Sequence, residues 1–282
     1  MTVVETLLSP SVPEGKILYH YTTQEGLLGI LAKKQLWVSS VLHLNDAAEF
    51  NYTVSLVREN VNQRLEKKRE PYRAVYNELL KGLRRLEKMS LFVGSFSERG
   101  DSLSQWRAYT HNGIGFSLGF EYQYLRNCAE KQNYQLRRCN YEKEVHGQVI
   151  EELVAIVRGK VGRSETRLAL HWLYSELVRI APLLKHPSFA EEKEWRLISR
   201  SAPQLALRHE EGVLFRSGKS MLIPYREFSL LNNSGKMELE HVVVGPTPHK
   251  DLSRQSLSHL LDIAGLARTP AVRLSAVPYR AW

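Results

Sequence analysis

The amino end of the chain alternates between apolar and polar positions and then changes to a helical period. Residues 17–21 are predicted to form a strand, and the apolar positions between 27 and 31 form one stripe of the helix that follows. Thr22 and Glu25 have the spacing of a capping box at the start of that helix. A second short strand is predicted at 36–39, so the chain begins with a strand, a helix and a strand.

Further elements follow without a regular alternation of strands and helices. Helices are predicted over about 46–68, 71–88, 142–160, 164–184 and 251–264. Strands are predicted over 91–96, 113–120, 134–141, 195–199, 213–216, 222–224, 239–244 and 272–276. Because strands and helices do not alternate one for one, a doubly wound parallel sheet is disfavoured. The sequence predicts a single α+β domain over 1–282, with helical insertions at about 46–88 and 142–184.

The composition is that of a soluble globular protein. Hydrophobic residues make up 43% and charged residues 24% of the 282 residues. No apolar run approaches the ~20 residues that span a bilayer, and residues 1–16 carry acids and prolines rather than a signal-peptide pattern. We therefore expect a cytoplasmic protein without membrane contact. Cys128 and Cys139 are expected to be free thiols, because they form no CxxC pair and have no nearby histidine cluster.

Positive charge is concentrated in one segment of the chain. The formal net charge of +9 favours anionic partners. The segment 64–88 holds nine basic residues and four glutamates. This pattern indicates either a binding surface for nucleic acid or an acidic protein, or a solvated helical face without a partner.

The first candidate site is the His-x-Thr sequence at the end of the first predicted strand. On a strand, His20 and Thr22 would point to the same face. An imidazole and a hydroxyl can both form hydrogen bonds with the hydroxyls of a ribose. The alternative is that Thr22 only caps the following helix and that His20 is a satisfied interior histidine.

The second candidate site opens the strand predicted at 195–199. Glu192, Glu194 and Arg196 alternate, so all three would share one face of a strand. Two carboxylates this close repel, which raises the pKa of one of them unless Arg196 compensates both. A carboxylate beside the anomeric carbon of a sugar can stabilise an oxocarbenium-like transition state. The alternative is an exposed ladder of ion pairs on an edge strand.

Aromatic side chains form the third candidate site. Trp106 and Tyr109 are three residues apart, so one helical turn would present both rings to a planar ligand ring such as nicotinamide or adenine. Either ring could instead anchor the core beneath the strand at 113–120. The helix start that follows Asn45 explains this residue fully, and a ligand role is the alternative. Scattered histidines and the lack of HExxH and GxSxG disfavour metal and serine-hydrolase chemistry.

Together these segments resemble the bacterial family called domain of unknown function 2971. The resemblance is carried by LYHYTT at 18–23, LWVSS at 36–40, LNDAAE at 44–49, SFS at 95–97, SQWRAY at 104–109, GIGFSLGF at 113–120, the spaced residues Lys185, Phe189, Glu192, Glu194 and Arg196, HVVVGP at 241–246 and VPYR at 277–280. It covers about residues 16–282, and the ordered combination is more specific than any single piece.

That family looks distantly related to ADP-ribosyltransferases, a group that includes toxins and phage-defence enzymes. The resemblance implies a split, mostly antiparallel sheet that binds NAD, the substrate, in a cleft. It implies that His20 and Thr22 bind the nicotinamide ribose and that the backbone of Tyr21 holds the carboxamide. Trp106 or Tyr109 would stack on the nicotinamide.

Asn45 and Arg196 are further expected cofactor-binding residues. The resemblance implies that Glu194 polarises the ribose 2′-hydroxyl and stabilises the cationic transition state, while Glu192 addresses the acceptor. Tyr21 departs from the pattern of many transferases, which have glycine after the histidine.

The implied reaction transfers ADP-ribose from NAD to a nucleic acid or a protein, and an antitoxin or another protein is a further expected partner. Two alternatives come from other classes. One is a non-catalytic nucleic-acid or nucleotide-binding module that uses the basic segment 64–88. The other is an enzyme that cleaves a different N-glycosidic or phosphate bond.

Overall fold

One mostly antiparallel sheet organises the chain. The structure is a computed structural model that describes residues 11–43, 47–66, 72–86, 89–110, 113–158, 166–199, 212–218 and 220–278, and positions 4, 6, 202 and 203. The strands are β1 (Ile17–Thr22), β2 (Gln35–Ser40), β3 (Met89–Ser90), β4 (Phe92–Ser97), β5 (Phe116–Glu121), β6 (Gln135–Arg138), β7 (Glu194–Ile198), β8 (Ala202–Pro203), β9 (Leu214–Ser217), β10 (Leu222–Ser229), β11 (His241–Val244) and β12 (Ala271–Leu274). The α-helices are α1 (Gln24–Lys33), α2 (Ala47–Leu65), α3 (Tyr72–Leu86), α4 (Leu103–Tyr109), α5 (Tyr122–Lys131), α6 (Lys143–Arg158), α7 (Thr166–Ile180) and α8 (Lys250–Ile263).

Ten of these described strands are hydrogen-bonded in one sheet. Eight follow the order β12-β11-β5-β1-β4-β2-β10-β9, while β7 pairs with β4 and β6 pairs with β7. The paired strands of this sheet are antiparallel except β11 and β12, which run parallel. The structure thus confirms a mixed fold with helices and a mostly antiparallel sheet.

The backbone ladder is interrupted along one edge of β4. β7 pairs with β4 from Val93 to Ser97 and therefore occupies one edge over these five residues. On the opposite edge, Val93 pairs with Ser39 of β2 and Ser97 pairs with Tyr19 of β1. Among the residues described, 94–96 have no strand partner on that edge. Since a strand rises ~3.3 Å per residue, β1 and β2 meet β4 about 13 Å apart, and this gap positions the candidate site.

Two hydrophobic cores hold the sheet and its helices. The helices of the two predicted insertions, α2 and α3 with α6 and α7, pack on one another through buried residues such as Val57, Leu79, Leu153 and Leu177. The second core joins β-strands to α1, α5 and α8 through residues that include Leu27, Leu125, Leu257, Phe92 and Phe228. Each fully buried side chain of this size stabilises the fold by about 1.5–3 kcal/mol.

Most predicted elements are present, and the main difference is an additional helix. Residues 122–131 form α5, where the sequence patterns predicted neither a helix nor a strand. The Glu121 carboxylate caps this helix by accepting a hydrogen bond from the Tyr124 amide, 2.8 Å away. None of the helices that the structure describes has the length and apolar composition needed to cross a membrane.

Candidate functional site

A cleft of about 490 Å³ opens at the gap along β4. Its volume is in the range of small-molecule sites, roughly 300–1,000 Å³. Residues from β1, α1, β2, β4, α4, β7 and β9 line it. The fold thereby brings His20, Tyr109 and Glu194, which are far apart in sequence, to one concave surface.

His20 and Thr22 of β1 line the cleft, and so do their neighbours Tyr19 and Tyr21. The capping prediction for Thr22 is wrong. Thr23 is the N-cap of α1, and its hydroxyl accepts a hydrogen bond from the Gly26 amide at 3.1 Å. Thr22 is instead the last residue of β1, and a side chain at position 26 would overlap its hydroxyl. Gly26 is therefore needed for the close approach of α1 to Thr22.

His20 presents a hydrogen-bond acceptor to the cleft. Its Nδ1 lies 3.0 Å from the carbonyl oxygen of Ser95, so Nδ1 carries the proton because a carbonyl can only accept. Burial lowers the pKa of His20 below 6.5, although the bond to the Ser95 carbonyl acts in the opposite direction. The ring is therefore neutral at neutral pH, and its Nε2 accepts rather than donates.

Glu194 is an ionised carboxylate held in place by two cations. Its Oε2 lies 2.7 Å from Lys185 Nζ, and its Oε1 accepts a hydrogen bond of 2.9 Å from Arg196 Nε. Burial alone would raise the pKa of Glu194, but the positive charges of Arg196 and Lys185 outweigh it and lower the pKa to about 2. The carboxylate therefore keeps its charge and its orientation while it lines the cleft.

Glu192 also contacts Lys185, but it lies in a 3₁₀ segment and not in a strand. Lys185 Nζ lies 2.5 Å from Glu192 Oε2, so one buried ammonium joins both carboxylates. The prediction that Glu192, Glu194 and Arg196 alternate on one strand is wrong for Glu192. Residues 187–192 form a 3₁₀ segment, and Lys193 has a left-handed φ of 44°, so the strand begins only at Glu194. Glu194 and Arg196 do share a face, whereas Glu192 comes from the turn before it.

The two aromatic candidates have different environments. Tyr109 lines the cleft and is 37% exposed. Trp106 is 0% exposed and does not line it. The Trp106 indole donates a 2.7 Å hydrogen bond to Asp101 and packs edge-on against the ring of Tyr21. Trp106 therefore corresponds to the core-anchor alternative, and Tyr109 is the one of these two that can meet a ligand ring in the cleft.

Three other expected cofactor-binding residues have different outcomes. Arg196 is 1% exposed and does not line the cleft, so it acts through Glu194 and not on a ligand. Tyr21 lines the cleft, and its hydroxyl is held between the Arg99 carbonyl and the Ser102 amide. Asn45 lies outside the described residues.

The opposite end of the cleft contains residues that were not predicted to take part in the site. Arg216 of β9 and Trp37 of β2 line this end, together with Lys33 of α1. Arg216 donates a hydrogen bond of 3.1 Å to the Ser39 hydroxyl. The LWVSS sequence could have indicated Trp37, but no local signal singles out Arg216, because its position depends on the pairing of β9 with β10.

The basic segment 64–88 is only partly described. Arg64 forms an ion pair with Glu151, and Lys81 forms one with Glu78. The basic residues Lys67, Lys68, Arg69 and Lys88 lie outside the described residues. Nothing in the described part brings this segment to the cleft, so nucleic-acid binding here stays a prediction.

No group of histidine, cysteine and acidic residues in the part of the chain that is described could hold a metal ion. Cys128 and Cys139 are buried thiols that are not joined in a disulfide.

A family model described as a protein of unknown function, DUF2971, matches residues 105–197. Over this segment, about a third of the chain, the sequence is similar to the DUF2971 family. No curated protein and no solved structure matches the chain.

The DUF2971 segment contains one side of the candidate site. Tyr109, Glu192 and Glu194 lie within residues 105–197, and so do the two cations that hold Glu194. His20 precedes the DUF2971 segment and Arg216 follows it. The carboxylate end of the cleft is thus built from the matched segment and β1, and the Arg216 end from other strands.

Proposed function

We propose that this protein transfers ADP-ribose from NAD to a macromolecular acceptor, as toxin and phage-defence effectors of the ADP-ribosyltransferase group do. The observation that carries the proposal is the single cleft in which His20, Tyr109 and Glu194 meet. These are the three kinds of group that a nicotinamide riboside requires: an acceptor for its hydroxyls, a ring for stacking and an anion near its anomeric carbon.

The nicotinamide riboside would occupy the Glu194 end of the cleft. The lone pair on His20 Nε2 accepts a hydrogen bond from a ribose hydroxyl, because Nδ1 is used by Ser95. The exposed ring of Tyr109 stacks on the nicotinamide, whose positive charge favours the face of an aromatic ring. Thr22 supplies a further hydroxyl from the same face of β1.

The reaction breaks the bond between ribose C1′ and the nicotinamide nitrogen. Nicotinamide leaves as a neutral molecule with the bonding electron pair, so positive charge develops at C1′. Glu194 stabilises that charge, and its fixed orientation avoids a reorganisation cost in the transition state. A nucleophilic atom of the acceptor then bonds to C1′, and Glu192 takes the proton that this atom loses.

The experiment measures nicotinamide release and acceptor labelling by the purified full chain. NAD labelled in its adenylate half is incubated with cell extract, and protein and nucleic acid are analysed separately. We expect wild-type protein to release nicotinamide and to label one fraction. Glu194→Gln should lower kcat by about 10²–10³-fold, the usual effect of removing one preorganised electrostatic group. The control is Glu130→Gln, since Glu130 is exposed on α5 and pairs with Arg126.

Each of three results would contradict a part of this proposal. Wild-type protein that releases no nicotinamide in the presence of extract is not an NAD-consuming enzyme. Nicotinamide release without label in either fraction would indicate simple hydrolysis of NAD instead of transfer. Glu194→Gln that remains folded and fully active would remove the assigned role of Glu194.

A further inference from the structure

Arg216 is a half-buried cation without an anionic partner among the described residues. Its guanidinium has five N–H donors, and its hydrogen bond to Ser39 uses one of them. Burial lowers the pKa of Arg216, while the nearby Tyr225 acts in the opposite direction. Its side chain nevertheless lines the cleft, where its other donors can meet a ligand.

The sheet register directs Arg216 towards the gap in β4. Arg216 stands opposite Ile223 of β10, and Ser39 of β2 stands opposite Tyr225 of the same strand. Because directly opposed residues share a face, the Arg216 side chain crosses β10 to reach the Ser39 hydroxyl. Ser39 in turn pairs with Val93, at the end of the gap away from Glu194. The cleft therefore has carboxylates at one end and a guanidinium at the other.

Trp37 adds an aromatic surface to the Arg216 end. Its indole packs against the ring of Tyr225, with ring centroids 4.5 Å apart, yet it remains 48% exposed. Trp37 and Ser39 lie two residues apart on the same face of β2, about 7 Å along the strand. This separation is similar to that between the base and the 5′-phosphate of a nucleotide.

We infer that this end of the cleft is a subsite for a nucleoside 5′-phosphate. Arg216 binds the phosphate through charge-assisted hydrogen bonds, and Trp37 stacks on the base. The choice of adenosine as the nucleoside rests on the proposed function, because the two ends would then hold the two halves of NAD. The phosphate requirement itself rests only on Arg216 and the cleft.

The experiment measures the affinity of the protein for fragments of a nucleotide and does not measure turnover. Binding of AMP, adenosine and ribose 5-phosphate is measured by calorimetry for the wild type, Arg216→Met and Trp37→Ala. We expect wild-type protein to bind AMP at least tenfold more tightly than adenosine, and Arg216→Met to abolish that preference. Trp37→Ala should weaken AMP binding about tenfold but leave the binding of ribose 5-phosphate unchanged. Arg126→Met and Trp172→Ala remove an exposed arginine and a partly exposed tryptophan outside the cleft, and both should bind AMP as the wild type does.

The result that overturns this inference is a folded Arg216→Met protein that still prefers AMP to adenosine. Equal binding of AMP and adenosine by the wild type would overturn it as well. Its failure can be distinguished from failure of the proposed function. If Arg216→Met releases nicotinamide with an unchanged KM for NAD, only the inferred subsite is contradicted. If AMP binding depends on Arg216 but the wild type releases no nicotinamide, only the proposed transferase activity is contradicted.

Discussion

Lys185 Nζ lies 2.7 Å from Glu194 Oε2, and the two side chains are 0% and 4% exposed. A buried ion pair contributes little net stability while both partners are present, because desolvation offsets their attraction. Removing one partner leaves the other charge buried and uncompensated. Glu194 therefore supports the fold as well as the cleft, and each activity measurement on a Glu194 variant needs a folding control.

Glu194→Gln should lower the free energy of unfolding by about 3–5 kcal/mol, because Lys185 and Arg196 then lose a buried anion. Urea denaturation measures the change. Adding Lys185→Met should recover part of the loss, giving a coupling energy above about 1 kcal/mol in a double-mutant cycle. Glu192→Gln is the matched control: Glu192 is 17% exposed, and its replacement should cost less. Independent, additive effects of the Lys185 and Glu194 substitutions would contradict this prediction.

Stability should also decrease in acid through the same carboxylate. Glu194 has a folded-state pKa of about 2 and an ordinary value of 4.5. Its stabilising contribution is therefore complete above pH 4.5 and is lost as the pH falls towards 2. The difference between the two pKa values corresponds to on the order of 3 kcal/mol. Unfolding free energies of the wild type and Glu194→Gln, measured across this window, should converge at the acid end; parallel curves would contradict the assignment.

The apolar patterns located most helices and strands, because periodicity is a local property of the chain. They missed α5, whose start depends on the Glu121 side chain capping a helix directly after a strand. They also could not show the gap in the sheet. That gap arises from the register of Tyr19 with Ser97 and of Ser39 with Val93, and no single segment encodes the relative position of two strands.

A matched pair of substitutions tests the hydrogen bonding of His20. The amide of His20→Asn can replace Nδ1 and keep the bond to Ser95, whereas the amide of His20→Gln can place its oxygen near the position of Nε2. In the proposed complex the ribose hydroxyl bonds to Nε2. On that proposal the Gln variant should retain more activity than the Asn variant, with kcat/KM for NAD about five- to tenfold higher. The reverse order would show that the bond to Ser95 is the important one.

The activity of the wild type should report the lowered pKa of His20. Burial keeps the ring neutral at and above pH 6.5. The pH profile of kcat/KM should therefore show no change from this group above pH 6.5, and activity should fall only in more acidic solution as Nε2 becomes protonated. A transition near 6.5 that disappears in His20→Gln would contradict the burial of the imidazole.

Trp106 and Tyr109 should give opposite results on substitution. Trp106→Ala removes a fully buried indole and should cost about 3–5 kcal/mol of stability. Tyr109→Ala should change stability little but raise the KM for NAD about tenfold, because a stacking surface is lost. Tyr109→Phe keeps the ring and serves as the control. If Tyr109→Ala leaves the KM for NAD unchanged, the ring does not contact the nicotinamide.

The candidate site was only partly predictable from sequence. His20, Glu192, Glu194 and Tyr109 were singled out by pattern and resemblance, and all four line the cleft. Helical spacing could not separate Tyr109 from Trp106, because residues three apart have similar directions and only the tertiary fold decides which one is covered. The bridging role of Lys185 was invisible, because it requires the 3₁₀ segment that returns the chain to Glu194.

Five strands of one hydrogen-bonded sheet form much of the cleft wall, and α1 and α4 complete it. Opening or closing this cleft would require the strands to slide, although their apolar faces are packed in the hydrophobic core. The cleft is therefore pre-formed. Ligand specificity then depends on the few side chains that project into the cleft. Substituting these side chains should change which ligand is preferred while the sheet stays the same.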